Sequence, residues 1–182
     1  MAKAIGMLEY MTVSTGMEAT DLMLKTAEVD LIEAQTVCPG KYIALITGEL
    51  SAVKAAIDAS KTKYDAKLID TFVLGNPHED IFPAIYGTAT VEKPAALGIL
   101  ETYSAASIIV AADMAAKTSS VQLIELRIAK GMCGKSYMTL TGEVAAVTAA
   151  IEKAKEEVKP KGTFLDSSVI ARPSEKLWKS IV

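Results

Sequence analysis

An α+β sandwich fold, built twice, is what this sequence of 182 residues predicts: two tandem domains, residues 1–92 and 93–182, each a four-stranded antiparallel sheet with helices on one face. Three observations carry that expectation. First, the chain repeats itself. Ala4-Ile5-Gly6-Met7-Leu8-Glu9 returns as Ala96-Leu97-Gly98-Ile99-Leu100-Glu101, and Asp21, Lys25, Val29, Leu31, Ile32 and Glu33 return at a spacing of 92 as Asp113, Lys117, Val121, Leu123, Ile124 and Glu125. Gly40-Lys41 and Thr47-Gly48-Glu49 return at 94 as Gly134-Lys135 and Thr141-Gly142-Glu143, and Asp70-Thr71, Pro77 and Glu79 at 96 as Asp166-Ser167, Pro173 and Glu175. The growing offset means two insertions of two residues each in the second copy. Second, each copy reads β-α-β-β-α-β, the ferredoxin-like order. Third, 51% of residues are apolar and only 5% aromatic, with abundant alanine, which favours close, flat packing of helices on a sheet.

Each element has its own reason. Residues 4–10 are a short apolar run, read as the first strand. Thr15-Gly16-Met17-Glu18 fits a capping box, with Thr15 as cap and Glu18 reaching back, and opens a helix to about residue 27 with Leu22, Met23 and Ala27 toward the core. Residues 29–36 alternate and read as the second strand. Cys38-Pro39-Gly40 is a turn, since proline fixes one dihedral and glycine permits the next. Residues 42–47 are the third strand, 51–60 a second helix and 68–74 the fourth strand, ended by Asn76-Pro77. The second copy repeats this as 97–103, 105–117, 121–128, 136–141, 145–155 and 164–170. Residues 62–67 and 159–162 read as polar loops, 79–93 as the link between copies, and 173 onward, with Trp178, as a terminal helix. Met7, Met11, Met17 and Met23 read as core fillers.

The balance of residues excludes several classes of function. Net charge is −3 with lysine and glutamate interspersed, so there is no basic stripe for nucleic acid. No apolar run approaches the roughly 20 residues that span a bilayer. Met1-Ala2-Lys3-Ala4-Ile5 runs straight into the first strand, which reads as no signal peptide. The two cysteines form no disulfide framework and suit a reducing cytoplasm. No Ser-His-Asp set, paired-carboxylate site or zinc spacing is visible. His78, the only histidine, reads as an exposed or capping residue in a turn. Glu9 and Glu101, matched acids on the first strands, read as serving structure or a subunit contact. Residues 129–136 match a relaxed phosphate-loop pattern, but a strand follows where phosphate binding needs a helix N-terminus. A fused pair does the work of two subunits of an older ring, so the functional object is expected to be symmetric and oligomeric.

The Ala-Ile-Gly-Met-Leu-Glu opening, the Asp21…Lys25 helix, Cys38-Pro39-Gly40-Lys41-Tyr42, the Thr-Gly-Glu step from strand to helix and Arg172-Pro173 resemble bacterial microcompartment shell proteins, and the duplication resembles their tandem-domain class. The Cys-Pro-Gly-Lys loop is most similar to that of shell proteins of propanediol-utilisation microcompartments. The resemblance covers almost the whole chain. It implies no enzyme, but a homotrimer shaped as a pseudohexamer that tiles with other shell proteins into a microcompartment in the cytoplasm. It further implies one 4Fe–4S cluster per trimer at a central pore, held by Cys38 from each of three chains and serving electron transfer across the shell or redox sensing, with a redox partner enzyme in the lumen. Val37, Cys38, Pro39, Gly40 and Lys41 would line the pore, backbone N–H groups around Gly40 would meet the cluster sulfides, and Lys41 and Lys135 would place positive charge nearby. Lys25, Lys117 and Arg172 would sit at the tile edge, where the first copy departs by carrying Asn76 at the place of Arg172. Cys133, one position out of phase with Cys38, reads as a bystander.

Without the resemblance, Cys38 is an ordinary small residue in a Pro-Gly turn and the lysines are solvated charge. Two rival readings stand beside the redox tile. One is a purely structural tile whose pore passes small polar metabolites past Cys38, Gly40 and Lys41. The other is a small-molecule-binding regulator or enzyme on a ferredoxin-like repeat.

Overall fold

A computed structural model of the chain describes residues 4–91 and 94–181. The start of the chain read for a signal peptide (residues 1–3) and the boundary between residues 92 and 93 lie outside the described residues. The chain forms two compact units. The first holds the residues up to Pro77 with Ser104–Ala106 and Ala129–Gly134; the second holds His78–Tyr103, Ser107–Ile128 and the residues from Lys135 on. The units therefore exchange segments relative to the sequence repeat.

In the first unit, β1 (Ala4–Tyr10) lies between β3 (Lys41–Gly48) and β4 (Leu68–Gly75), and β2 (Val29–Val37) flanks β3, all antiparallel. Every residue of β1 is buried, which is why it reads as an unbroken apolar run rather than an alternation. Helix α1 (Val13–Thr26) buries Gly16, Ala19, Thr20 and Met23, and α2 (Leu50–Tyr64) buries Val53, Ala56, Ile57 and Ser60, each at helical spacing. Of these, Ala19, Met23, Val53, Ala56 and Ile57 meet Ala4, Leu8, Tyr10, Ala44 and Ile46 from the sheet in one core. A β-carbon at Gly6 would lie 2.7 Å from Val53 Cγ1, so the glycine is what lets α2 cross β1 this closely. Tyr10 Oη donates to the carbonyl of Ser60 (3.1 Å) and Ser60 Oγ to that of Ala19 (2.9 Å), satisfying the polar atoms that β1, α2 and α1 bring into the core.

The second unit repeats the plan with β5 (Ala96–Thr102), α4 (Ala105–Thr118), β6 (Val121–Arg127), β7 (Ser136–Gly142), α5 (Val144–Val158) and β8 (Phe164–Ile170), in sheet order β6-β7-β5-β8. Even the irregularities recur. Register slips between Leu31 and Glu33 and between Leu123 and Glu125, and again after Glu9 and after Glu101. The duplication is thus legible at the level of single β-bulges.

Four expectations are corrected. Helix α1 begins at Val13, with Thr12 in the cap position; Thr12 Oγ1 bonds Thr15 Oγ1, and Thr15 is buried inside the helix rather than capping it. Met11 and Met17 are 59% and 55% exposed, so only Met7 and Met23 fill the core. The link between copies contains a helix, α3 (Ile81–Tyr86), whose Ile81 and Ala84 are fully buried as it packs on β6. Asp80 anchors it by accepting the Leu123 N–H (3.2 Å). Residues 62–67 are not a loop: α2 runs to Tyr64 and a 3-10 turn covers Asp65–Lys67, as another covers Lys159–Lys161. The terminal helix is present as α6 (Glu175–Ile181). Among the described residues no helix is long and apolar enough to cross a membrane.

Candidate functional site

β2 delivers Val37, buried, to a turn made of Cys38, Pro39 and Gly40, and Lys41 starts β3. Gly40 adopts φ +97°, a left-handed conformation that explains the glycine, and its N–H donates to the Val37 carbonyl at 2.9 Å. That N–H closes the turn, so it is not free for another acceptor, contrary to the sequence expectation. The Cys38–Pro39 peptide is cis. The loop Ala129–Gly134 belongs to the same unit. A β-carbon at Gly134 would lie 3.1 Å from both the Cys38 carbonyl oxygen and Pro39 Cδ, so the backbone of this loop rests on the turn. Ala129 and Cys133 both hold positive φ (59° and 51°), a conformation that non-glycine residues adopt at a cost.

The half-buried Cys38 lines an open cavity of about 430 Å³ with Val37, Pro39, Gly40, Lys130 and Gly131. Lys130 Nζ is 2.6 Å from Glu33 Oε1, which also accepts from Gln35 Nε2, while Glu33 Oε2 is buried with no partner. Lys41 does not present a free charge. Its Nζ is 2.9 Å from Oε1 of Glu9, whose carboxylate is fully buried, and Glu9 Oε2 accepts the Ala105 N–H at 3.0 Å. Cys133 is exposed. The only thiol of this chain that lines the cavity is Cys38, and no group of three or more His, Cys, Asp or Glu residues able to hold a metal occurs among the described residues. One chain therefore cannot hold an iron–sulfur cluster, which takes several thiolates. The donor type is right, Cys38 is half-buried at the lining of an open cavity, and among the described residues no carboxylate or imidazole lines that cavity to compete. The residues fit a cluster shared between chains.

The remaining residues singled out from the sequence lie elsewhere. Lys25 pairs with Asp21 (2.6 Å) on an exposed face, and Lys117 pairs with the buried Asp113 (2.7 Å). Arg172 is exposed beside Trp178 in a cavity of about 460 Å³. Its counterpart Asn76 holds φ 55°, which asparagine tolerates better than arginine. His78 donates its backbone N–H to Asp113 Oδ1 (2.8 Å) and accepts the Asp80 N–H at Nδ1 (3.3 Å), so it caps. Ser136 starts β7, so residues 129–136 are no phosphate loop. Sequence reasoning missed a polar cluster in the second unit. Tyr137 Oη donates to Glu125 Oε2 and Arg127 Nη2 lies 2.7 Å from Glu125 Oε1, at the rim of a cavity of about 560 Å³. Burial first, and then the Glu125 carboxylate, push the Tyr137 hydroxyl up to about 12, and the same carboxylate holds the Arg127 guanidinium above its usual range. Strand alternation in 121–127 and 136–142 was the signal that places these three side chains on one face.

Residues 4–77 and 96–173 each match the BMC domain, and together they cover most of the chain. The chain belongs to the BMC domain family. Its two BMC domains are the two copies of the sequence repeat. Over all 182 residues it is 42% identical to the bacterial microcompartment shell protein PduT of Citrobacter freundii, spanning 100% of this chain and 99% of that one. It is 33% identical over 96 residues to the shell protein EutK of Salmonella typhimurium, covering 52% of this chain and 58% of that protein. A crystal structure of a microcomparments protein from Desulfitobacterium hafniense DCB superposes with a TM-score of 0.87 at 44% identity, covering 98% of this chain and 99% of that one. A fused permuted hexameric shell protein of the RMM microcompartment reaches 0.68 at 24% identity over 87% of this chain and 84% of its own, a likeness of fold alone.

Proposed function

We propose that this tandem BMC-domain chain is a structural tile of a bacterial microcompartment shell in the cytoplasm, assembled from three copies, and that the three Cys38 thiolates meet at a common axis to hold one 4Fe–4S cluster. The single observation that carries the reading is the placement of Cys38. Cys38 lines an open cavity from a turn on which the loop Ala129–Gly134 rests, in a chain similar from end to end to a shell protein. The cluster, when bound, supplies a one-electron carrier. The chain's own contribution is to fix three soft donors and to control access. Val37 and Pro39 make the cavity wall apolar, and the Glu33–Lys130 pair sets its charge. Other shell proteins are the lateral partners and an enzyme of the lumen the redox partner. The chain acts as a scaffold, not a catalyst. The openness of the same cavity supports a second reading, a tile that conducts small polar metabolites and holds no cluster.

Anaerobic purification and reconstitution, followed by iron and acid-labile sulfide analysis and electron paramagnetic resonance, separates the two. The cluster reading expects about four irons per three chains, lost in Cys38→Ser and kept in Cys133→Ser, with the mass by light scattering unchanged in both. A colourless wild type after reconstitution removes the cluster and leaves the metabolite pore.

A further inference from the structure

The two copies of the repeat differ in chemistry on one face of one strand pair. In the second copy the register of β6 and β7 sets Glu125 opposite Thr139 and Arg127 opposite Tyr137. In the first copy the same places hold Glu33 opposite Leu45 and Gln35 opposite Ile43. Ile43 and Leu45 are fully buried, so the fold accepts apolar residues there. The second copy puts a hydroxyl at both positions and a guanidinium beside them. All four of its residues line the cavity of about 560 Å³ in the second unit, a volume ordinary for a small-molecule site.

This polar wall is only half occupied. Glu125 is fully engaged: Oε1 accepts from Arg127 Nε (3.1 Å) and Nη2 (2.7 Å), and Oε2 accepts from Tyr137 Oη. The Tyr137 ring lies 5.7 Å from the guanidinium carbon and gives it a second hold. Among the described residues nothing bonds Arg127 Nη1, so the other edge of the fork keeps its N–H donors. Thr139 is 7% exposed, and its Oγ1 is buried with no hydrogen-bond partner. A buried hydroxyl without a partner lowers stability, and a half-exposed ion pair returns little of it. Stability alone therefore gives no reason for these residues. What is left over defines a ligand. The unused groups are N–H donors on a planar cationic edge and one hydroxyl, and such an edge matches a carboxylate bidentately. A carboxylate seated there lies nearer the guanidinium than the Glu125 charge. The rest of the wall includes Ile124, Ala89 and Ile181, which suit a hydrocarbon body.

We infer that this cavity binds a small organic monocarboxylate, with its carboxylate on the free edge of Arg127 and the Thr139 hydroxyl and its apolar body against Ile124, Ala89 and Ile181. Glu125 and Tyr137 are positioning residues that hold the guanidinium in place. The site belongs to the second copy alone, so each chain carries one. It depends neither on a cluster at Cys38 nor on the number of chains in the tile.

Calorimetric titration of the full-length chain with benzoate tests it, with benzamide as an uncharged probe of the same shape. Benzoate binds with a dissociation constant of roughly 1 mM or tighter, as suits so small a ligand, and benzamide about tenfold more weakly or worse. Arg127→Gln weakens benzoate about tenfold or more. Arg172→Gln, which removes an exposed arginine from a different cavity, leaves the affinity unchanged. Thr139→Val keeps the shape of the side chain and removes the hydroxyl, so it serves even if Arg127→Gln fails to fold. It weakens benzoate about threefold or more, while the melting temperature of the ligand-free chain holds or rises because an unpartnered hydroxyl is gone. A merely structural threonine would move the melting temperature and leave the affinity alone. Four results each overturn the inference: no benzoate binding at roughly 10 mM, benzamide binding as tightly as benzoate, affinity lost in Arg172→Gln but kept in Arg127→Gln, or affinity unchanged in Thr139→Val.

Discussion

The buried pair of Glu9 and Lys41 makes a quantitative prediction. At 2.9 Å, and with the effective dielectric constant of about 20 that suits protein charges, the attraction is about 6 kcal/mol before desolvation is subtracted. The two partners differ in their alternatives. Lys41 is 18% exposed and can turn its ammonium to water, while Glu9 is 0% exposed and cannot. Lys41→Met therefore strands a carboxylate with only the Ala105 N–H, and costs about 3–5 kcal/mol. Glu9→Gln keeps an acceptor for that N–H and releases the lysine, costing about 1.5–3 kcal/mol. The double variant removes the stranded charge, so its cost stays near that of Glu9→Gln alone, and the cycle shows a coupling equal to the Lys41→Met cost, about 3–5 kcal/mol. Urea titrations at one protein concentration measure this through the midpoint, with the slope unchanged. For a chain of 182 residues Lys41→Met lowers the melting temperature by roughly 6–20 °C. If Lys41→Met proves milder than Glu9→Gln, or the two costs add to within about 0.5 kcal/mol, the assignment of Glu9 as the trapped partner is wrong.

Two further expectations concern the core. Replacing a helix glycine by alanine ordinarily stabilises by about 1 kcal/mol. Gly16→Ala goes the other way, because the new β-carbon would sit 2.4 Å from Tyr42 Cβ, and calorimetry is expected to show a loss of about 1–3 kcal/mol. Tyr10 is raised to about 12, chiefly by burial and then by Tyr64 and Asp65. A phenol whose folded value lies above its unfolded value of about 10 contributes stability that is complete below pH 10 and lost as pH climbs toward 12. The loss from Tyr10 reaches about 2–3 kcal/mol, Tyr137 adds in the same direction, and Tyr10→Phe abolishes the Tyr10 share in urea midpoints measured between pH 9 and 12.

The strands and the long helices were legible because their causes are local: apolar runs, helical spacing, and glycine or proline at the turns. The recurrence of Gly6 as Gly98 was visible in sequence, but its reason, the close crossing of α2 and α5 over β1 and β5, was not. Helix α3 escaped because it is short, carries Pro83 inside and is held by burial against β6. Thr15 matched the capping pattern, yet core packing put it inside the helix. At the candidate site, the turn at Cys38 was readable from Pro39 and Gly40. The partners of Lys41 and Lys130 were not, since Glu9 and Glu33 lie 32 and 97 residues away from them in the chain. Pairing across such separations depends on strand register, which a repeat reveals only after one copy has been seen folded.

The loop Ala129–Gly134 differs in length and backbone from the Cys38 turn it rests on. Joining two domains in one polypeptide thus breaks the equivalence that identical subunits must keep. A side chain placed in one loop occurs once per polypeptide rather than once per domain. The exposed Cys133 can therefore be given a probe, a metal chelator or a bulky adduct at half the density of the domains, while Cys38 keeps its own chemistry.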